Sequence, residues 1–165
     1  MTAIDTPSQQ ALTLDRIGLM TALPDSGSRH RQPITHRFEP GHVSAITGPS
    51  GSGKTTLLSI LALNLHPREG RLLDGNRNLL SMSTVNRATW RRRNVGFLLQ
   101  PGLLNGAATA RRCFEFAGEL RQAPDAVSHG TELLERLDMA HVLDCPPADL
   151  TAWEARCVEL ARALC

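Results

Sequence analysis

The segment Gly48-Pro49-Ser50-Gly51-Ser52-Gly53-Lys54-Thr55 restricts what this chain can fold into more than any other stretch. It matches G-x-x-x-x-G-K-[ST] at every fixed position. An apolar run with Val43, Ala45 and Ile46 precedes it, and the apolar-faced segment from Lys54 to about Asn64 follows it. That order predicts a strand, a glycine-rich turn and a helix. Gly51 and Gly53 permit backbone angles that a Cβ would block, so successive N–H groups turn toward one bound oxyanion. A helix opening at Lys54 adds its positive N-terminal end. In this pattern the Lys54 ammonium sits between the β- and γ-phosphates of a nucleotide. The Thr55 hydroxyl ligates Mg²⁺, and Thr56 is placed for a further phosphate contact. The residues assigned to nucleotide are therefore Gly48, Pro49, Ser50, Gly51, Ser52, Gly53, Lys54, Thr55 and Thr56.

Composition narrows the partners. The chain has 165 residues, 41% hydrophobic and 21% charged, room for one domain with a real core. Its formal net charge of +2 is too small to make nucleic acid or an anionic membrane the main partner. Tyrosine is absent and aromatics are only 4%, which leaves no stacking platform for single strands. The longest apolar run, Leu57 to Leu65, is interrupted by Ser59 and Asn64 and is too short to span a bilayer. The opening MTAIDTPSQQ has neither a basic nor an apolar region, so no secretory leader is expected. Cys113, Cys145, Cys157 and Cys165 form no CxxC pair and are read as reduced thiols, with no zinc site.

The coarse pattern is α/β with an added helical segment. Strands are expected at Ala11 to Leu19, Ile34 to Phe38, His42 to Thr47, Glu69 into the turn at Gly75, and Val95 to Gln100. Helices are expected at Lys54 to Asn64, Ser83 to Arg92, Thr109 to Gln122, Ala126 to Leu137 and Glu154 to Leu164. Pro24 to Ser28 reads as a turn cluster and Arg29-His30-Arg31 as a solvated loop. Trp90 is expected to pack on the sheet, and Arg91-Arg92-Arg93 to form a solvated helix end.

The run GPSGSGKTTLLSILALNL resembles the loop and helix of ABC transporter ATPases, with the doubled threonine and the leucine pair. The stretch Trp90-Arg-Arg-Arg-Asn-Val-Gly-Phe-Leu-Leu-Gln100 is similar to that family's approach to its Q-loop, especially in the lipoprotein-release and macrolide-exporter branch. The resemblance runs from about Leu12 to the C-terminus. It implies that Gln100 is the Q-loop glutamine, reaching the Mg²⁺ shell together with Thr55 and coupling to a membrane partner. Taken alone, Gln100 reads better as a strand-end residue in a turn before Pro101-Gly102; the register of the resemblance is what favours the Q-loop.

Three features depart from the family pattern. The signature LSGGQ or LSGGE is here Leu150-Thr151-Ala152-Trp153-Glu154, followed by a matching Ala161-Arg-Ala-Leu. Trp153 places a large ring where the family needs close backbone approach to the partner's nucleotide, so Thr151, Ala152, Trp153 and Glu154 read as a degenerate signature. The same residues also read as a plain capping box, with Thr151 as N-cap and Glu154 at the third position. No aromatic lies between Leu12 and Leu23 to stack on adenine, a loss of about 1–3 kcal/mol on the scale of base–aromatic stacking. No Asp-Glu dipeptide occurs, and the six histidines lie too early for the family's switch position. The resemblance thus implies a chain truncated before the Walker B strand, with no catalytic residue identified and little hydrolysis of its own.

These readings combine into one expectation. Residues 1–10 are a disordered N-terminus, and 11–165 form a partial ABC-type ATP-binding domain with a helical segment at about 107–150. The fold is an α/β P-loop NTPase of ABC type, with an incomplete core sheet and an N-terminal antiparallel part. The implied ligands are ATP and Mg²⁺. The implied partners are a membrane-spanning transporter subunit and a second ATP-binding subunit, in a homo- or heterodimer on the cytoplasmic face of the membrane, with no nucleic acid. The alternatives are a non-catalytic or regulatory subunit, or another P-loop enzyme such as a small-molecule kinase, whose lid would have to be the arginine triplet.

Overall fold

The computed structural model describes residues 10–19, 32–98 and 109–165. The chain divides into two compact units, Met1–Asn94 and Val95–Cys165.

The first unit is built on a four-stranded antiparallel sheet in the order β2-β1-β3-β4. Its strands are β1 (Leu12–Gly18), β2 (Ile34–Phe38), β3 (Glu69–Asp74) and β4 (Arg77–Asn78). The apolar spacing in β1 steps from Leu14 to Ile17, one residue more than simple alternation allows. A β-bulge accounts for it: the register with both neighbours shifts here, and Arg16 adopts φ 53°. Leu14 and Ile17 therefore both reach the core. The bulge is braced by Arg16 N–H donating to Thr35 Oγ1 (3.1 Å) and by Arg71 Nε donating to Asp15 Oδ2 (2.8 Å). Gly70 crosses it at φ 101°, where a Cβ would stand 2.3 Å from the Arg16 carbonyl oxygen.

Helix α1 (Lys54–Leu61) buries Leu57 and Ile60 against this sheet, beside Leu14, Ile17, Leu72 and Leu79. It stops three residues before the expected Asn64. Leu63 takes the left-handed conformation (φ 56°), its N–H bonds to Ile60 O, and the Asn64 N–H bonds to Ser59 O. That is a Schellman closure with leucine in the place usually held by glycine; burial of Leu63 in the core offsets the backbone cost. Helix α2 (Thr84–Asn94) lies on the same core through Trp90, whose indole N–H donates to Asp74 Oδ2 at 3.0 Å. Arg92 and Arg93 are solvated as expected, but Arg91 is not: its Nη1 donates to Leu63 O at 3.2 Å and caps the end of α1.

Two expected strands do not form. The segment 42–47 is irregular and joins no ladder among the described residues, and Val43 is fully exposed. A strand is defined by hydrogen bonds to a neighbour, and apolar alternation cannot supply one. Val95 to Leu98 is likewise irregular, and Leu99 and Gln100 lie outside the described residues. So do residues 1–9, the Pro24 to Ser28 cluster and Arg29 to Arg31.

The second unit consists of α3 (Ala110–Arg121), α4 (Ala126–Arg136) and α5 (Ala152–Leu164), with short 3₁₀ turns between the last two. Phe114, Leu134, Val142, Val158 and Ala161 form its core. Helices α3 and α4 approach closely because Gly130 faces the Phe114 ring, where a Cβ would lie 2.6 Å away. All four cysteines are free thiols.

Gly70 tests the bulge. Replacing it with alanine forces a Cβ onto the Arg16 carbonyl at a strained φ, and unfolding stability should fall by about 2–4 kcal/mol. Urea unfolding followed by circular dichroism measures this; an unchanged midpoint would show that the crossing at Gly70 does not fix the sheet.

Candidate functional site

The glycine-rich loop leads directly into α1 and is solvent-facing along most of its length. Gly48, Gly51 and Gly53 have φ values of 150°, 72° and 91°, all on the side that favours glycine. Gly53 is the N-cap of α1 and offers no side-chain cap, so no side chain of the cap competes for the first-turn N–H groups. The Ser52 N–H closes the turn onto Pro49 O at 3.2 Å.

Lys54 reaches back over this curl. Its Nζ donates to Gly48 O at 2.9 Å, to Pro49 O at 2.8 Å and to Ser52 Oγ at 3.5 Å. The ammonium is thus held at the mouth of the loop by weakly basic carbonyls, which an anionic oxygen would displace. Among residues 48–56 Lys54 carries the sole formal charge, and the first turn of α1 holds no acid. Three flipped glycines, an open helix N-terminus and one ammonium suit phosphate oxygens. The Thr55 hydroxyl is exposed at the second helical position, open to a hard cation, while Thr56 is half-buried. Gln100, the other expected metal-reading residue, lies outside the described residues.

The second expected element opens α5 in the other unit. The helix begins at Ala152, two residues earlier than read from the sequence, because Thr151 is its cap. The capping box is complete. Thr151 Oγ1 accepts from Glu154 N–H at 3.3 Å, and Glu154 Oε2 accepts from Thr151 N–H and from the Thr151 hydroxyl, each at 2.7 Å. His141 Nε2 adds a contact to Glu154 Oε1 at 3.0 Å. Nothing in the sequence signals that contact, since it spans thirteen residues and two turns. These bonds, the Thr151 hydroxyl first and His141 next, hold the Glu154 carboxyl down to about 2. Ala152 is exposed, and the Trp153 ring points into solvent at 67% exposure.

Because folding lowers the Glu154 value, its stabilisation is complete above the ordinary 4.5 and is lost as pH falls toward about 2. Unfolding measured from pH 7 to pH 2 should show wild type and Glu154→Gln converging across that window. Thr151→Ala should cost about 1 kcal/mol at neutral pH. Equal pH slopes for wild type and Glu154→Gln would show that the box is not formed in solution.

Comparison with known proteins gives consistent results. The family model described as ABC transporter matches residues 32–165. The lipoprotein-releasing system ATP-binding protein of Myxococcus xanthus is 32% identical over 75% of this chain and 56% of its own length. The macrolide export ATP-binding/permease protein of Rhodopirellula baltica is 32% identical over 79% of this chain and 20% of its own. The chain thus spans little more than half the length of the first of these relatives. Among solved structures, the dimeric ATP-binding cassette MJ0796, in a post-hydrolysis state bound to ADP and Pi, superposes with a TM-score of 0.74. It covers 93% of this chain and 68% of the other at 22% identity, a likeness of fold. Among the described residues, no helix is long and apolar enough to cross a membrane.

Proposed function

The chain belongs to the ABC transporter family, and on that premise we propose that it is an ATP-binding subunit of a membrane transport system of the lipoprotein-release and macrolide-export kind. The observation that carries the reading is the Lys54 ammonium poised over the curl of Gly48 to Gly53 at the open N-terminus of α1. In this reading Gly48, Pro49, Ser50, Gly51, Ser52 and Gly53 present their backbone to the phosphates. Lys54 leaves its carbonyl partners for phosphate oxygens, and Thr56 adds a hydroxyl. Thr55 would hold Mg²⁺, with Gln100 as a second contact, and a metal held there would supply screening of the phosphate charge. The loop supplies phosphate cradling and one metal ligand, Thr55, so the activity proposed for it is MgATP binding.

A second ATP-binding subunit and a membrane-spanning subunit on the cytoplasmic face are the proposed partners, and 11–165 is proposed as the ATP-binding domain. Support for the dimer comes from the dimeric cassette that shares the fold. The exposed Trp153 beside Ala152 supports a non-catalytic or regulatory member of such a pair, because a large ring there would obstruct close backbone approach to a partner's nucleotide.

Calorimetry tests the core of this. Wild type should bind MgATP, and Lys54→Ala should weaken binding about ten-fold or more through loss of a charge-assisted contact. Equal binding by the two, or none by folded wild type, overturns the nucleotide assignment.

A further inference from the structure

Irregular backbone needs another source of hydrogen bonds, and Val95 to Phe97 finds one in two arginines. Arg121, in the last turn of α3, donates through Nη2 to Val95 O at 3.2 Å and to Ala163 O at 3.1 Å. Arg162, on α5, donates through Nη2 to Phe97 O at 3.4 Å, and its Nε is buried without a partner. Gly96, between the two anchored carbonyls, lies so close to α5 that a Cβ would stand 1.8 Å from Ala163 O. Ala163 O belongs to the last turn of α5, whose carbonyls lack helical partners. One guanidinium therefore satisfies a helix end and a passing chain at once. Burial lowers the Arg121 value, as expected for a guanidinium drawn partly out of water.

We infer that Arg121 and Arg162 are positioning residues that strap Val95, Gly96 and Phe97 onto the C-terminal turn of α5. Phe97 precedes Gln100 by three residues in the sequence. The strap therefore ties the chain to α5, the helix capped by Thr151, at a point three residues in sequence before the proposed metal-reading glutamine. Arg162 is part of the Ala161-Arg-Ala-Leu run that matches the family pattern in sequence; its bond to Phe97 O is made sixty-five residues away. The consequence for Gln100 rests on the MgATP reading, while the strap itself does not.

Limited chymotrypsin digestion with mass-spectrometric mapping tests the strap. Cleavage after Phe97 reports its release, and cleavage after the fully buried Phe114 reports unfolding of the unit. Arg121→Met with Arg162→Met should raise Phe97 cleavage about ten-fold over Phe114 cleavage, because local opening outruns global opening. Arg121→Lys, which keeps donors in reach, should stay near wild type. Gly96→Ala, which leaves both guanidiniums intact, should reproduce the release. Calorimetry with ATP in MgCl₂ and with ATP in EDTA then separates positioning from mere support. The Met variants should lose about five-fold in affinity with magnesium and keep the metal-free affinity set by the Lys54 loop. Cleavage at Phe97 and Phe114 rising together, or neither rising, overturns the strap. An equal loss with and without magnesium overturns the positioning role. Absence of Lys54-dependent binding in wild type fails the nucleotide reading and leaves the digestion result to decide the strap alone.

Discussion

Everything in the first unit that bears on a ligand depends on backbone angles that only glycine adopts freely. Gly48, Gly51 and Gly53 bend the chain so that Lys54 can fold back onto the carbonyls it has just left. The curl would wander without a fixed end, and α1 provides it. Leu57 and Ile60 lock the helix to the sheet, Leu63 closes it, and Arg91 bonds to the Leu63 carbonyl. The open N-terminus of α1 is held in place by packing at the other end of the same short helix. The bulge in β1 belongs to this chain of support, because it is what lets both Leu14 and Ile17 face α1.

The sequence was most legible where the physics is local. The helix opening at Lys54 and the capping box at Thr151 and Glu154 are set by neighbours a few residues apart, and they fall where the pattern puts them. It was least legible where partners are distant. His42 to Thr47 alternates like a strand, yet strand character belongs to a pair of segments. The end of α1 was misplaced because the apolar pattern runs on to Asn64, while Leu63 accepts a left-handed turn that its side chain argues against. His141 beside Glu154, and Arg121 across to Val95, join positions whose separation carries no periodic signal.

Residues Thr151 to Glu154 show how one stretch can satisfy two descriptions. As a helix start it is complete: each polar group of the box is engaged and the carboxylate is strongly favoured in its charged form. As the proposed counterpart of the family's signature it would be altered, with Ala152 and Trp153 in place of two glycines. The capping chemistry does not need the glycines, so the helix survives their replacement. What changes is the outer surface, which carries an indole instead of bare backbone.

That indole has an optical consequence. The chain has two tryptophans and no tyrosine, and the tryptophans fall one in each compact unit. Trp90 is half-buried with its N–H on Asp74, whereas Trp153 stands in water. Near-ultraviolet emission is therefore a sum of two sources with different surroundings. The first emits at shorter wavelength and is shielded from an aqueous quencher such as iodide. The second emits at longer wavelength and is open to it. A single quenching titration resolves the two units of the native chain with no label attached.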